Sequence, residues 1–230
     1  MNREGDDALE MQRAAVLAGA LAAAPSGATD RIVAIEDEPR HFLKFQNRHV
    51  RLFDVHLPPG YRGLFHSHVH DGVFVNVEAS ETVATDFGGE PVVRGPRQLG
   101  ETYFFNYTKA PRIHRVDNTG ATPFRVVDTE IHEGCGRSAP VEDAARPPIL
   151  ENDRVRVTRL LLDPGRSARL SPTCGMLVAV TGGRLEARSP GGVEVVTLAP
   201  AGFKWRDSFA ALEVVNAGDA PFHGVDILVK

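Results

Sequence analysis

The chain has few cysteines, no long apolar run and no large excess of charge. Its 230 residues include only two cysteines, Cys135 and Cys174, which form no C-x-x-C pair. The sequence therefore predicts neither a disulfide framework nor a thiolate zinc site, and Cys174 is expected to be a small buried hydrophobic residue. A net charge of −4 without a basic stripe argues against nucleic acid as a partner. No apolar run has the length that crosses a bilayer, so we expect no membrane partner.

The first 30 residues allow two interpretations. Read from Met1, residues 1–30 form an acidic tail or an alanine-rich surface helix around 6–24, and the protein is expected to be cytoplasmic. Read from Met11, the stretch has Arg13, an apolar segment and small residues up to Ala28, which is typical of a secretory signal. In that case the protein is expected to be periplasmic or secreted. Both interpretations stay open.

The chain repeats itself. Residues 47–60 resemble residues 152–165 at an offset of 105, and residues 118–124 resemble residues 216–222 at an offset of 98. A Val-Asp pair follows each copy of the second motif. Such self-similarity in a fixed order is typical of a duplicated structural unit.

Each copy is composed of short β-branched and apolar runs that end at turn residues. Turn signals every eight to twelve residues favour a sandwich or barrel. We therefore predict an all-β fold of two tandem barrels, with a first barrel at 31–132, a linker at 133–149 and a second barrel at 150–230. The predicted strands are 50–57, 72–78, 124–131, 155–162, 176–181, 192–198 and 222–229.

Histidines cluster just after the first Pro-Gly turn. Five residues separate Gly60 from the pair His66 and His68, and His114 stands four residues before Asn118. Side chains at i and i+2 of a strand point to the same face, so the first pair is half of a metal site. These two motifs resemble those of the cupin superfamily, and the duplication resembles a bicupin, two jelly-roll barrels in one chain. The resemblance implies His66, His68 and His114 as metal ligands.

The acidic ligand that is usual in that family is missing, because the expected spacing ends at Gly72 or Val73. Three imidazoles suit divalent transition metals and suit Ca²⁺ or Mg²⁺ poorly. The resemblance then implies a mononuclear enzyme acting on a small molecule, with a three-His Fe(II) dioxygenase favoured. Zn, Ni or Mn in a lyase, isomerase or hydrolase is the alternative, and a non-catalytic binding bicupin is a third.

Three further residues are weak catalytic candidates. If its strand continues, His70 faces inward and could replace His68 or the missing acidic ligand, but a bend would make it a rim residue or a hydrogen-bond donor behind the ligands. Asp71 is expected to be solvated or to orient an imidazole, with direct metal ligation as the less favoured alternative. Tyr103 either places a phenol in the cavity as an acid or base or packs as an ordinary aromatic residue.

The second barrel lacks the histidines. The two offsets place Ser171, Thr173 and Leu212 where the first barrel has His66, His68 and His114. Since these residues cannot hold a transition metal, this barrel is interpreted as structural support. Unpaired barrel edges make a homodimer possible.

Overall fold

The computed structural model of the chain describes residues 31–136, 143–144, 146–207 and 212–230. The described part is built of strands, and the predicted all-β class is confirmed. Its one helical element is a 3₁₀ turn at Ile35–Asp37, and no helix in these ranges has the length and apolarity to cross a bilayer. The N-terminal tail or signal segment predicted at residues 1–30 lies outside the described residues.

The first barrel consists of two five-stranded sheets packed face to face. One has the strand order β1-β4-β9-β6-β7, and the other has the order β2-β3-β10-β5-β8. All pairs are antiparallel except that between β1 and β4. The strands are β1 (Ile32–Ala34), β2 (His41–Gln46), β3 (Val50–Leu57), β4 (Phe65–His68), β5 (Asp71–Glu78), β6 (Thr82–Asp86), β7 (Pro91–Arg94), β8 (Thr102–Phe105), β9 (Arg112–Asn118) and β10 (Phe124–Ile131).

The second barrel repeats this plan with sheets of five and four strands. Their orders are β11-β12-β19-β14-β17 and β13-β18-β15-β16. Strand for strand this is the topology of the first barrel, as the sequence repeat predicts, except that the described residues of this half include no counterpart of β1. The strands are β11 (Pro148–Glu151), β12 (Val155–Leu162), β13 (Ser167–Leu170), β14 (Gly175–Ala179), β15 (Gly183–Ser189), β16 (Gly192–Leu198), β17 (Phe203–Arg206), β18 (Leu212–Asn216) and β19 (Phe222–Val229).

The two barrels share one hydrophobic core. Because side chains alternate across a strand, Leu52 of β3 joins a cluster with Val157 of β12 and Met176 of β14, while neighbouring Phe53 packs inside the first barrel. β3 thus buries residues on both faces, which explains why apolar residues occupy successive positions there, as at Leu52 and Phe53.

The repeated asparagines form the same turns in both barrels. The Asn118 Nδ2 group donates to the carbonyl oxygens of Leu57 and Thr122, at 2.8 and 2.9 Å. Asn216 donates in the same way to Leu162 and Ala220, both at 2.8 Å. Each asparagine is buried. Asn118 joins the end of β3 to the turn after β9, and Asn216 joins the end of β12 to the turn after β18. The repeat therefore preserves hydrogen bonds as well as sequence.

Glycine recurs next to these asparagines for a conformational reason. Gly60 and Gly165 have φ values of 74° and 75°, a left-handed conformation that favours glycine. The amide of each donates to the carbonyl oxygen of the repeated asparagine of its own barrel. The Pro-Gly turn and the asparagine turn are thereby joined in both copies.

The interpretation of the cysteines as unpaired is wrong. Cys135 and Cys174 form a disulfide with a Cα–Cα distance of 6.0 Å. Cys135 follows the last strand of the first barrel, and Cys174 directly precedes β14 of the second. Their separation of 39 residues hid the pairing in the sequence, because only the packing of the barrels brings them together.

We predict that Asn118→Ala lowers the free energy of unfolding by about 2–4 kcal/mol. The substitution removes four hydrogen bonds, two that Nδ2 donates and two that Oδ1 accepts from Ser80 Oγ and the Gly120 amide, at about 0.5–1 kcal/mol each. Asn216→Ala should have a somewhat smaller effect, because Asn216 makes the equivalent bonds except the one from a serine. Equilibrium denaturant unfolding measures both. A change below about 0.5 kcal/mol in either variant would contradict this role.

Candidate metal centre

The pairing of β4 with β9 brings three imidazoles together inside the first barrel. His66 lies directly opposite His114 in this pair, and His68 projects to the same face as His66. The ring centroids of the three histidines are 4.8–5.0 Å apart. One ligand nitrogen from each lies within 4.8 Å of the others. All three side chains are buried.

Two nitrogens of this cluster have the separation expected of ligands to one metal ion. His68 Nε2 and His114 Nε2 are 3.1 Å apart, and nitrogens that each lie about 2.1 Å from a common ion have a separation of about 3.0–3.4 Å. His66 Nδ1–H donates to the carbonyl oxygen of Leu64 at 3.0 Å, so its Nε2 carries the lone pair. That Nε2 is buried without a hydrogen-bond partner among the described residues. In this part of the chain no carboxylate belongs to the cluster.

Burial keeps all three imidazoles neutral, which is the form that binds a metal. Desolvation, with a smaller effect from the charge of Arg112, lowers the pKa of His66 to about 3 and that of His68 to about 2. The pKa of His114 is likewise far below its usual value, mainly because of burial. The ligand set therefore carries no charge of its own.

A second polar group adjoins the cluster and was not singled out from the sequence. The His41 ring packs on His66 with a centroid distance of 4.4 Å, and its Nδ1 lies 2.7 Å from Glu38 Oε2. Tyr61 donates to the other oxygen of Glu38 at 2.9 Å. Burial would raise the pKa of Glu38, but these hydrogen bonds lower it to about 2. The only sequence signal was a Glu-x-x-His spacing, which is too common to indicate a site.

The cluster lies at one wall of a cavity of about 60 Å³ that opens to solvent at its mouth. Most of the lining is aliphatic or aromatic, and the polar lining includes three arginines. Arg97 pairs with Glu101, and Arg112 donates to Asp86 at 2.7 Å. Arg94 makes no ion pair with any residue that the structure describes.

His70 and Asp71 lie away from the three imidazoles. The strand ends at His68, and His70 packs against His132 with a centroid distance of 4.0 Å. The expectation that Asp71 is solvated or orients an imidazole is wrong. It is 1 % exposed, accepts a hydrogen bond from the Thr108 amide at 3.0 Å and pairs with Arg154 of the second barrel at 3.1 Å. Asp71 therefore helps to join the barrels.

Tyr103 lines the cavity but is held as a packed aromatic residue. Its ring is stacked on Phe74 with a centroid distance of 5.3 Å, and the Arg97 guanidinium lies 4.4 Å from its centroid. Burial raises its pKa to about 12. The phenol is thus neutral at physiological pH and poorly suited to act as a base.

The second barrel holds an apolar cavity at the corresponding place. Leu170, and not Ser171, lies opposite Leu212, as His66 lies opposite His114. The offset of 105 therefore matched Ser171 to His66 wrongly, by one residue. The reason is that the first barrel has one extra residue between Arg62, which pairs with Asp117, and the start of β4. Leucine side chains hold no metal, so the interpretation of this half as a barrel without the site is unchanged.

Comparisons with known proteins identify the fold. No protein-family model and no curated protein matches the chain. Among solved structures, AerE from Microcystis aeruginosa is 13% identical with a TM-score of 0.57, covering 84% of this chain and 98% of that one. YhaK from Escherichia coli is 16% identical with a TM-score of 0.57, covering 84% and 92%. Oxalate decarboxylase from Lactobacillus farciminis is 10% identical with a TM-score of 0.58, covering 85% and 84%.

At these identities the likeness concerns the fold alone. The topology and the matches across both halves show a bicupin fold, two cupin-type barrels in one chain. The three-histidine cluster in the first barrel has the donor set of a metal site.

We predict that the metal-free protein loses stability as the pH falls below about 6.5. Unfolded histidines take up a proton near that pH, whereas His66 and His68 have pKa values of about 3 and about 2 in the fold. Below pH 6.5 the unfolded chain binds more protons, so each buried imidazole lowers the free energy of unfolding by about 1.4 kcal/mol per pH unit. Above pH 6.5 the contribution of these histidines to the free energy of unfolding no longer depends on pH.

Thermal unfolding between about pH 7 and pH 4 checks this. The Tm of the unmodified chain should fall more steeply than that of a His66→Gln/His68→Gln variant. Equal slopes would show that these histidines are not buried in the neutral form.

Proposed function

We propose that the protein is a metal-dependent enzyme in which His66, His68 and His114 hold one divalent transition-metal ion. Its substrate is a small anionic molecule that chelates the ion, and the reaction class favoured is that of a three-His Fe(II) dioxygenase. The observation that carries the proposal is the convergence of three buried, neutral imidazoles at the wall of a cavity. Such an ion supplies a Lewis acid and, as Fe(II), an electron donor to O₂.

The charge of the cavity favours an anionic substrate. A neutral ligand set does not by itself offset the charge of a divalent ion, and Arg112, which is paired with Asp86, lies beside the cluster. Arg94 offers a guanidinium without an ion-pair partner among the described residues. Guanidinium groups bind carboxylates through paired, charge-assisted hydrogen bonds. A carboxylate that reaches both the metal and Arg94 would neutralise two positive centres together.

His41 is the group best placed to exchange a proton with such a substrate. Glu38 engages its Nδ1 and leaves Nε2 as the free nitrogen, and the residue lines the cavity beside His66. A carboxylate that orients an imidazole in this way is a common arrangement for a general base. The apolar remainder of the lining excludes water and strengthens these electrostatic interactions.

A reaction without oxidation is the alternative, because the same donors suit other metals. Oxalate decarboxylase from Bacillus subtilis, which has Mn(II) centres, shares the fold at 10% identity and a TM-score of 0.57. Consumption of O₂ by the Fe(II)-loaded protein separates the two classes. Turnover of a carboxylate without O₂ uptake would favour a lyase. If no metal-loaded form turns over a carboxylate, a binding protein would be favoured.

We predict that the protein binds one metal ion per chain and that His114→Ala abolishes this binding. The variant removes one of three donors, and two imidazoles hold a divalent ion far more weakly. Elemental analysis after anaerobic loading with Fe(II) gives the stoichiometry. Leu212→Ala, the matched change in the second barrel, should keep the full metal content. Failure of the unmodified chain to retain metal, or retention by His114→Ala, would contradict the proposal.

We further predict that Arg94→Gln weakens binding of a carboxylate probe to the metal-loaded protein by about 10–100-fold. The size follows from one charge-assisted hydrogen-bond pair, worth about 1.5–3 kcal/mol. Calorimetry with oxalate measures the affinity, and unchanged metal content shows that the centre is intact. Arg62→Gln removes an equal charge from an exposed side chain outside the cavity lining and should have little effect. Equal affinities of the two variants would exclude Arg94 as an anion site.

A further inference from the structure

A buried carboxylate behind the metal centre has no hydrogen-bond partner. Asp128 of β10 is completely buried, and neither of its oxygens is bonded within the part of the chain that the structure describes. Its Oδ2 lies 3.8 Å from His68 Nδ1, which is also buried without a partner. Two complementary polar groups thus face each other in an apolar interior, where each alone is costly to leave unsatisfied.

The backbone of the neighbouring strand leaves room for this carboxylate. Asp128 points into the barrel, since Val127 and Ile131 on the same strand point to the inter-barrel core. At Gly72 a Cβ atom would lie 2.8 Å from the Phe74 ring and 3.2 Å from Asp128 Oδ1, so a side chain there would crowd both groups.

The duplicated barrel provides an internal comparison. Asp226 holds the same place in β19, but there Arg206 and Arg146 pair with its carboxylate, the latter at 3.0 Å. In that barrel, which lacks the histidines, two guanidinium groups supply the positive charge that faces the aspartate. In the first barrel the corresponding position faces His68 and the centre behind it.

We infer that Asp128 is a positioning residue for the metal centre: its Oδ2, 3.8 Å from His68 Nδ1, closes to a hydrogen bond with Nδ1–H when an ion is bound and provides negative charge that the ion requires. This inference rests on the proposed metal binding. The carboxylate fixes the His68 tautomer so that Nε2 faces the ion, and it increases the basicity of that nitrogen. From its position behind His68, Asp128 thereby supplies negative charge that the three histidine ligands lack.

The test compares metal affinity with the stability of the metal-free protein. Co(II) is titrated into the full chain by calorimetry, and Asp128→Asn and Asp128→Leu should bind it about 10–100-fold more weakly. Their metal-free Tm should be unchanged or higher, because the substitutions remove a buried group that has no partner. A purely structural aspartate would give the opposite result, a lower Tm with an unchanged affinity. In the Zn(II)-loaded protein, the NMR resonance of the His68 Nδ1 proton should move upfield in Asp128→Asn.

The experiment has two control variants. Thr129→Val changes the adjacent buried side chain and should leave the Co(II) affinity unchanged. Asp226→Asn should lower the Tm without changing the affinity, because its carboxylate holds two arginines. If the unmodified chain binds no Co(II), the proposed function itself fails. If it binds Co(II) and the Asp128 variants bind within twofold of it, the inference on Asp128 is overturned and the three-histidine site stands.

Discussion

The register between β4 and β9 is the constraint on which the centre depends. It sets His114 opposite His66, and the alternation of the strand then places His68 on the same inner face. A slip of one residue would turn His114 away from the other two and leave no site. The register is held outside the cluster, by the Pro-Gly turn before β4 and by Asn118 at the end of β9, which is bonded to the end of β3. Residues outside the cluster thus determine how its three histidines are placed.

The comparison of the two barrels shows that the same scaffold can surround either a histidine cluster or a leucine-filled interior. Both keep the asparagine turns and the aspartate on their last strand, so these features belong to the scaffold. They differ in what faces the aspartate. In one barrel arginines complete a buried ion pair with Asp226, and leucines fill the space where the other barrel has imidazoles. A buried carboxylate needs a compensating group: Asp226 has two arginines, whereas Asp128 faces only His68 Nδ1 at 3.8 Å.

Local patterns predicted the strands and turns well because they depend on neighbours in sequence. The predicted strands at 50–57, 124–131, 155–162 and 222–229 agree with the observed bounds. The errors concern contacts between distant residues. Cys135 meets Cys174 only because the barrels pack, and Asp71 is buried because Arg154 of the other barrel reaches it. The false assignment of Ser171 arose because an offset counts residues, whereas a strand register counts hydrogen-bonded pairs.

By itself the sequence determined the all-β class, the duplication and the three histidines, since alternation along strands and repeated turn residues are encoded locally. The tertiary structure alone decided what surrounds those histidines. Glu38 and His41 precede His66 by 25 residues or more, and Asp128 follows His68 by 60 residues, so no short sequence pattern joins them. Their association depends on the packing of two sheets into a barrel, which brings together side chains that the sequence keeps apart.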